Sequence, residues 1–203
     1  MDPVLNAFLV KQQSEALALA ASSDLLQLYP LDGSPARAYR AHFTCDGLVR
    51  LRDGTIEKAS SFSVGIWFPD DYLRRAQMME VLTWLDPPSV FHPNIASVGG
   101  GPSLICIGHF GPGTPLVDML YQTFEVITYQ RVTMTELNAL NRDACVWARR
   151  HQHLLPIDRR PLKRPRSVCV PPTGVRDSNA QPTKDNGLQG NPSLEHRSQE
   201  NTP

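Results

Sequence analysis

VFHPNIASVGGGPSLICIGHFGPGTPL, residues 90–116, is the stretch on which the reading of this chain turns. It holds an apolar approach at Val90-Phe91, then His92-Pro93-Asn94, a glycine run, and Cys106 between Ile105 and Ile107. Proline fixes φ and asparagine bonds to local backbone, so His-Pro-Asn predicts a rigid bend. Glycines on both sides of the cysteine let an incoming chain approach the backbone closely. A thiol in that setting is either a small buried hydrophobe or a nucleophile.

The flanks predict the scaffold. Upstream, residues 4–28 read as an amphipathic helix: Val4, Leu5, Phe8 and Leu9 open an apolar face that Leu17, Leu25 and Leu28 prolong. The turn residues YPLDGSP at 29–35 end it. Four strands follow, at 38–45, 48–52, 61–68 and 78–85, with Asp46-Gly47 and Asp53-Gly54 as turn signals. The third is a clean alternation of Phe62, Val64, Ile66 and Phe68. Asp86-Pro87-Pro88 stops the fourth. Downstream, Leu116, Met119, Leu120, Phe124 and Ile127 share one face of a helix that has Pro115 near its first turn. Thr133 and Glu136 fit a capping box, opening a last helix with Leu137, Leu140, Ala144 and Trp147 at helical spacing. The expected class is α+β: an N-terminal helix, a four-stranded antiparallel meander, a loop region and C-terminal helices.

Composition bounds the function. Formal net charge is zero, but residues 1–148 hold ten Lys/Arg against fifteen Asp/Glu, and residues 149–166 hold seven against one. No aromatics interleave with the arginines of that basic strap, which argues against nucleic acid. Cys45, Cys106, Cys145 and Cys169 form no C-x-x-C pair and suggest no disulfide framework. No stretch approaches the ~20 apolar residues of a membrane span, and the first residues are acidic rather than basic, so a cytoplasmic location is expected. Eight of the 18 prolines lie beyond residue 155, and no aromatic follows Trp147. The expected organisation is a domain over 1–155 and a Pro-rich, disordered tail over 156–203.

Four segments, in this order, resemble the ubiquitin-conjugating (E2) family. FPDDY at 68–72 is similar to its FPxxYP strand end, PPSVFHPNI at 87–95 to its PP…FHPNI segment, LICIG at 104–108 to its active-site ICL, and LNALNRDACVWAR at 137–149 to its LNxxAA helix. The likeness covers roughly 4–152, and the HPNI-to-cysteine pair is its specific part. The chain departs from the pattern in several places. His92 and Cys106 are fourteen positions apart, through a longer SVGGGPS insert; Leu73 stands after Tyr72; Gly108 stands two beyond the cysteine; and HFGPGTPL replaces Trp-Ser-Pro. These departures point to a divergent member, most like the E2-like proteins of bacterial ubiquitin-type conjugation operons.

The resemblance implies the UBC-like fold and a cytoplasmic acyl transferase that needs no cofactor or metal. Cys106 would accept a ubiquitin-like protein from an E1-like enzyme as a thioester and pass it to an amine. A deconjugating peptidase is a further expected partner. Asn94 is the oxyanion donor or a brace of the loop. His92 completes the catalytic constellation, as packing under the turn or, alternatively, as a base. His109 and Asp118 are lesser candidates for tuning the thiol or the acceptor. Lys11 and Gln12, on the polar face of the first helix, would meet the E1, and the 149–166 strap an acidic partner. The alternatives are a non-catalytic ubiquitin-like-protein binding module on the same fold, a cysteine hydrolase pairing Cys106 with His92 or His109, and a zinc site at His92, Cys106, His109 and His151.

Overall fold

The computed structural model describes residues 2–96 and 103–164. Its first helix, α1 (Pro3–Ala21), starts where Asp2 accepts the Val4 N–H at 2.8 Å and Pro3 takes the first helical position. The helix ends at Ala21, not at 28. Ser22 turns its hydroxyl onto the Leu19 carbonyl, and Ser23 accepts the Leu25 N–H. Two serines competing for backbone groups break the helix. The apolar period then switches to two, and Leu26–Pro30 is strand β1, with Leu26 and Leu28 buried.

The main sheet is antiparallel, in the order β1–β2–β5–β6, with β2 Ala38–Phe43, β5 Phe62–Trp67 and β6 Leu82–Asp86. Its inner rows follow from register. Leu26, Phe43 and Phe62 form one, and Leu28, Ala41, Val64 and Trp84 another. α1 packs on this face together with α3 (Leu116–Ile127). All five residues expected on the α3 face are buried.

Two of the four expected strands are placed differently. The segment after Asp46-Gly47 does not pair back onto β2. It forms a separate hairpin of β3 (Gly47–Arg50) and β4 (Ile56–Ala59), closed by Asp53-Gly54. Gly47 serves close approach rather than a turn: a Cβ there would lie 2.5 Å from the Phe62 ring and 3.2 Å from the Ile127 carbonyl. The strand expected at 78–85 opens with a helical turn, α2 (Met78–Val81). The last helix, α4 (Arg142–Arg150), begins more than two turns later than the Thr133–Glu136 pattern suggests. Asn141 is its cap, accepting the Ala144 N–H at 3.0 Å. Glu136 instead pairs with Arg149 at 2.8 Å, and Leu137 is 88% exposed.

Residues 156–164 pack on the body. Leu162 is buried in the main core. The Asp158 carbonyl accepts from Gln130, and Arg164 reaches Asp24 at 2.7 Å. The described residues all belong to one unit that runs to Arg166. The expected tail beyond 164, with Cys169, and most of the glycine insert, 97–102, lie outside the described residues. Among the described residues no helix is long and apolar enough to cross a membrane.

Gln12 is not on a polar face. It is 3% exposed, and its Oε1 accepts the Leu116 N–H at 2.8 Å, joining α1 to the start of α3. Gln12→Leu keeps the volume but strands that donor, so a loss of about 1–3 kcal/mol is expected by urea unfolding. Among the described residues Lys11 makes only an exposed 3.8 Å pair with Glu15, and Lys11→Ala should stay within ~0.5 kcal/mol.

Candidate functional site

The bend at His92-Pro93-Asn94 leads into a short hairpin, β7 (Ile95–Ala96) with β8 (Leu104–Ile105). It joins the main sheet where the Trp84 N–H of β6 donates to the Ser103 carbonyl. With Ile95 opposite Ile105, the next pair on the ladder is Asn94 and Cys106. The Cys106 N–H donates to the Asn94 carbonyl at 2.8 Å, and the Asn94 side-chain amide donates to the Cys106 carbonyl at 3.0 Å. One residue thus holds both backbone groups of the cysteine.

Asn94 is itself fixed from two sides. Its backbone N–H donates to His92 Nδ1 at 3.0 Å, and its Oδ1 accepts the Thr133 N–H at 2.8 Å. It is 4% exposed. His92 is 1% exposed, with its ring 4.2 Å from that of Tyr129. Burial pushes the imidazole pKa down to about 3. Because Nδ1 accepts from Asn94, the neutral ring carries its proton on Nε2, which is buried and has no partner among the described residues. A ring so placed supports the turn from beneath; neither nitrogen is free to take a proton from Cys106.

The segment leaving α3 completes this support. Tyr129 adopts φ +56° as the helix ends, a conformation that costs a non-glycine residue about 1–2 kcal/mol. Its hydroxyl donates to the Phe91 carbonyl while its ring faces His92. Alternate residues along 129–133 then serve the site: Tyr129 under His92, Arg131 against Gly108, and Thr133 on Asn94. The residues alone assign none of the three to the site: Thr133 reads as a helix cap, and Tyr129 and Arg131 belong to no motif. The turn is set by tertiary contacts and has no glycine to announce it.

From β3, Leu48 accepts the Phe91 N–H at 2.9 Å, so the inserted hairpin props the strand just before His92. Beyond Cys106, the Ile107 N–H donates to Met78 Sδ at 3.4 Å. Tyr72 of FPDDY is buried and donates to the Thr114 carbonyl at 2.6 Å, anchoring the loop that follows the cysteine. The space over Gly108 (φ +102°) is filled by the Arg131 guanidinium rather than left open for an approaching chain.

Cys106 is half-buried, whereas Cys45 and Cys145 are buried. Burial pushes both of those thiols up, Cys45 strongly and with help from Asp158. Among the described cysteines, only Cys106 combines exposure with a fixed backbone. His109 is exposed. Asp118 lines a separate cleft between α1 and α3, beside Glu15 and Lys163. Among the described residues no group of three His, Cys, Asp or Glu side chains could hold a metal. His151 caps the end of α4, stacked on Trp147. No family model matches the chain, and no curated protein matches its sequence.

His92 gives the site a pH signature. Its folded-state pKa lies below the ordinary value near 6.5, so between those values the unfolded chain binds the extra proton. Stability is therefore present in full above pH ~6.5 and falls as pH drops towards 3, by up to ~1.4 kcal/mol per unit. His92→Asn keeps an acceptor for the Asn94 N–H but does not titrate. Melting curves from pH 7.5 to 4.5 should show a shallower acid loss in that variant than in the wild type.

Proposed function

We propose that this protein is an E2-like carrier in a bacterial-type ubiquitin-like conjugation pathway. It takes a ubiquitin-like protein from an E1-like enzyme as a thioester on Cys106 and passes it to an amine. The observation that carries the reading is the pairing of a half-buried cysteine, where the other described cysteines are buried, with the Asn94 clamp on its own backbone. The fold class, with a helix before an antiparallel sheet and helices after the cysteine loop, supports a UBC-like assignment. So does the use of Tyr72 from FPDDY to hold the loop after the cysteine.

The chemistry has two steps. The Cys106 thiolate attacks the E1 thioester carbonyl; the new Sγ–C bond forms and the E1 thiolate departs. An acceptor amine then attacks the same carbon, the Cys106 thiolate leaves, and the amine proton passes to solvent. Each step passes through a tetrahedral oxyanion, for which a fixed donor is worth about 3 kcal/mol. In this reading one hydrogen of the Asn94 amide braces the Cys106 carbonyl and the other serves the oxyanion. His92 acts through Asn94, by fixing its backbone. A thiolate is a strong nucleophile in itself, so this reading asks for no base beside Cys106.

The test is a charging assay with the cognate E1-like enzyme, ATP and ubiquitin-like protein, read on paired reducing and non-reducing gels. A DTT-sensitive adduct should form on the wild type and on Cys145→Ser, and not on Cys106→Ala. Asn94→Ala should slow discharge to an amine by about 100-fold or more, on the scale of one lost oxyanion donor. No adduct with a competent E1 would leave the fold as a binding module.

A further inference from the structure

Arg131 stands at the Cys106 site with no task in the chemistry above. The chain reverses after α3, and the Arg131 N–H donates back to the Glu125 carbonyl at 2.9 Å. Its guanidinium is pinned along one edge: Nε and Nη2 both donate to Glu125 Oε2, at 3.0 and 2.7 Å. Nη1 makes no hydrogen bond among the described residues. That nitrogen faces the backbone just past the cysteine, where a Cβ on Gly108 would lie 2.9 Å from it. The side chain as a whole is 43% exposed.

The placement selects the kind of ligand. Gly108 is two residues beyond Cys106, so its Cα lies within roughly 7 Å of the Cys106 Cα, and Nη1 stands against Gly108. An extended peptide acylating Cys106 presents main-chain carbonyls at about that spacing from its terminal carbon. Glu125 already neutralises the guanidinium, which disfavours a phosphate or carboxylate and leaves a neutral carbonyl as the fitting acceptor. Glu125 also holds the fork still, so little rotamer freedom is lost when the bond forms.

We infer that Arg131 is a specificity-determining contact for the incoming acyl chain, donating from Nη1 to a main-chain carbonyl of the extended peptide tail that reaches Cys106. The inference rests on the acyl-carrier reading and deepens it: the substrate is recognised through its tail backbone, one or two residues before the reacting carbonyl.

The test needs no partner protein. Full-length protein is mixed with two thioesters of 2-mercaptoethanol, one of acetyl-Ala-Ala-Gly-Gly and one of acetate. In both, the Cys106 thiolate attacks the carbonyl, the Sγ–C bond forms and the mercaptoethanol thiolate leaves. Intact mass gives the rate, and peptide mapping locates the adduct on Cys106. Arg131→Ala and Arg131→Gln should react about tenfold more slowly with the tetrapeptide thioester and unchanged with the acetyl thioester, with melting temperatures near that of the wild type. Arg131→Lys should recover part of the loss. Equal slowing of both probes, or no slowing of the tetrapeptide, overturns the inference and leaves the acyl-carrier reading standing. Failure of wild-type Cys106 to react with either thioester overturns both.

Discussion

The site depends on the way Asn94 holds Cys106. Its carbonyl accepts the cysteine N–H and its side-chain amide donates to the cysteine carbonyl. A half-buried strand end would otherwise leave both groups to water, and the thiol would move with a loose backbone. Two bonds from one residue fix the plane of the chain at Cys106 and do not engage the sulfur. Burial then sorts the described cysteines. Cys45 and Cys145 are enclosed and their thiols are harder to ionise, while Cys106 stays accessible.

The surrounding elements keep Asn94 in place. Pro93 fixes the bend, and the neutral, buried His92 accepts the Asn94 N–H beneath it. Tyr129 packs its ring against His92 from a left-handed backbone conformation, held there by its bond to Phe91. Thr133 reaches the Asn94 side chain from the segment leading to α4. These contacts join α3 and the inserted β3–β4 hairpin to one turn, so the helices after the cysteine are part of its support. A left-handed tyrosine and an unpartnered histidine nitrogen are unfavourable alone; they persist because the packing around them over-determines the arrangement.

Much of this was legible in the residues. Phe62, Val64 and Ile66 announce a central strand by strict alternation, and the α3 face by helical spacing, because burial on one side imposes those periods. His92-Pro93-Asn94 and Cys106 stood out because each needs a special residue type. The rest was hidden for physical reasons. Leu25 and Leu28 continue a plausible helical stripe, and only the hydroxyls of Ser22 and Ser23, competing for the backbone, end α1 before them. Asp46-Gly47 looks like a hairpin turn, but Gly47 is small because Phe62 and Ile127 crowd it. The Thr133–Glu136 pattern is a valid local cap overruled by tertiary bonds: Thr133 gives its N–H to Asn94, and Glu136 takes Arg149. Gln12 reads as polar surface because the partner of its side chain lies 104 residues away.

Amide hydrogen exchange of Asn94→Ala against the wild type, resolved by residue, tests the clamp most directly. The Thr133 N–H donates to the Asn94 side chain, and the Cys106 N–H depends on the same turn. The account predicts that both amides lose protection in the variant while amides of α1 and β5 keep theirs. Unchanged protection at Thr133 and Cys106 would contradict it, because the backbone at Cys106 would then be held by something other than Asn94.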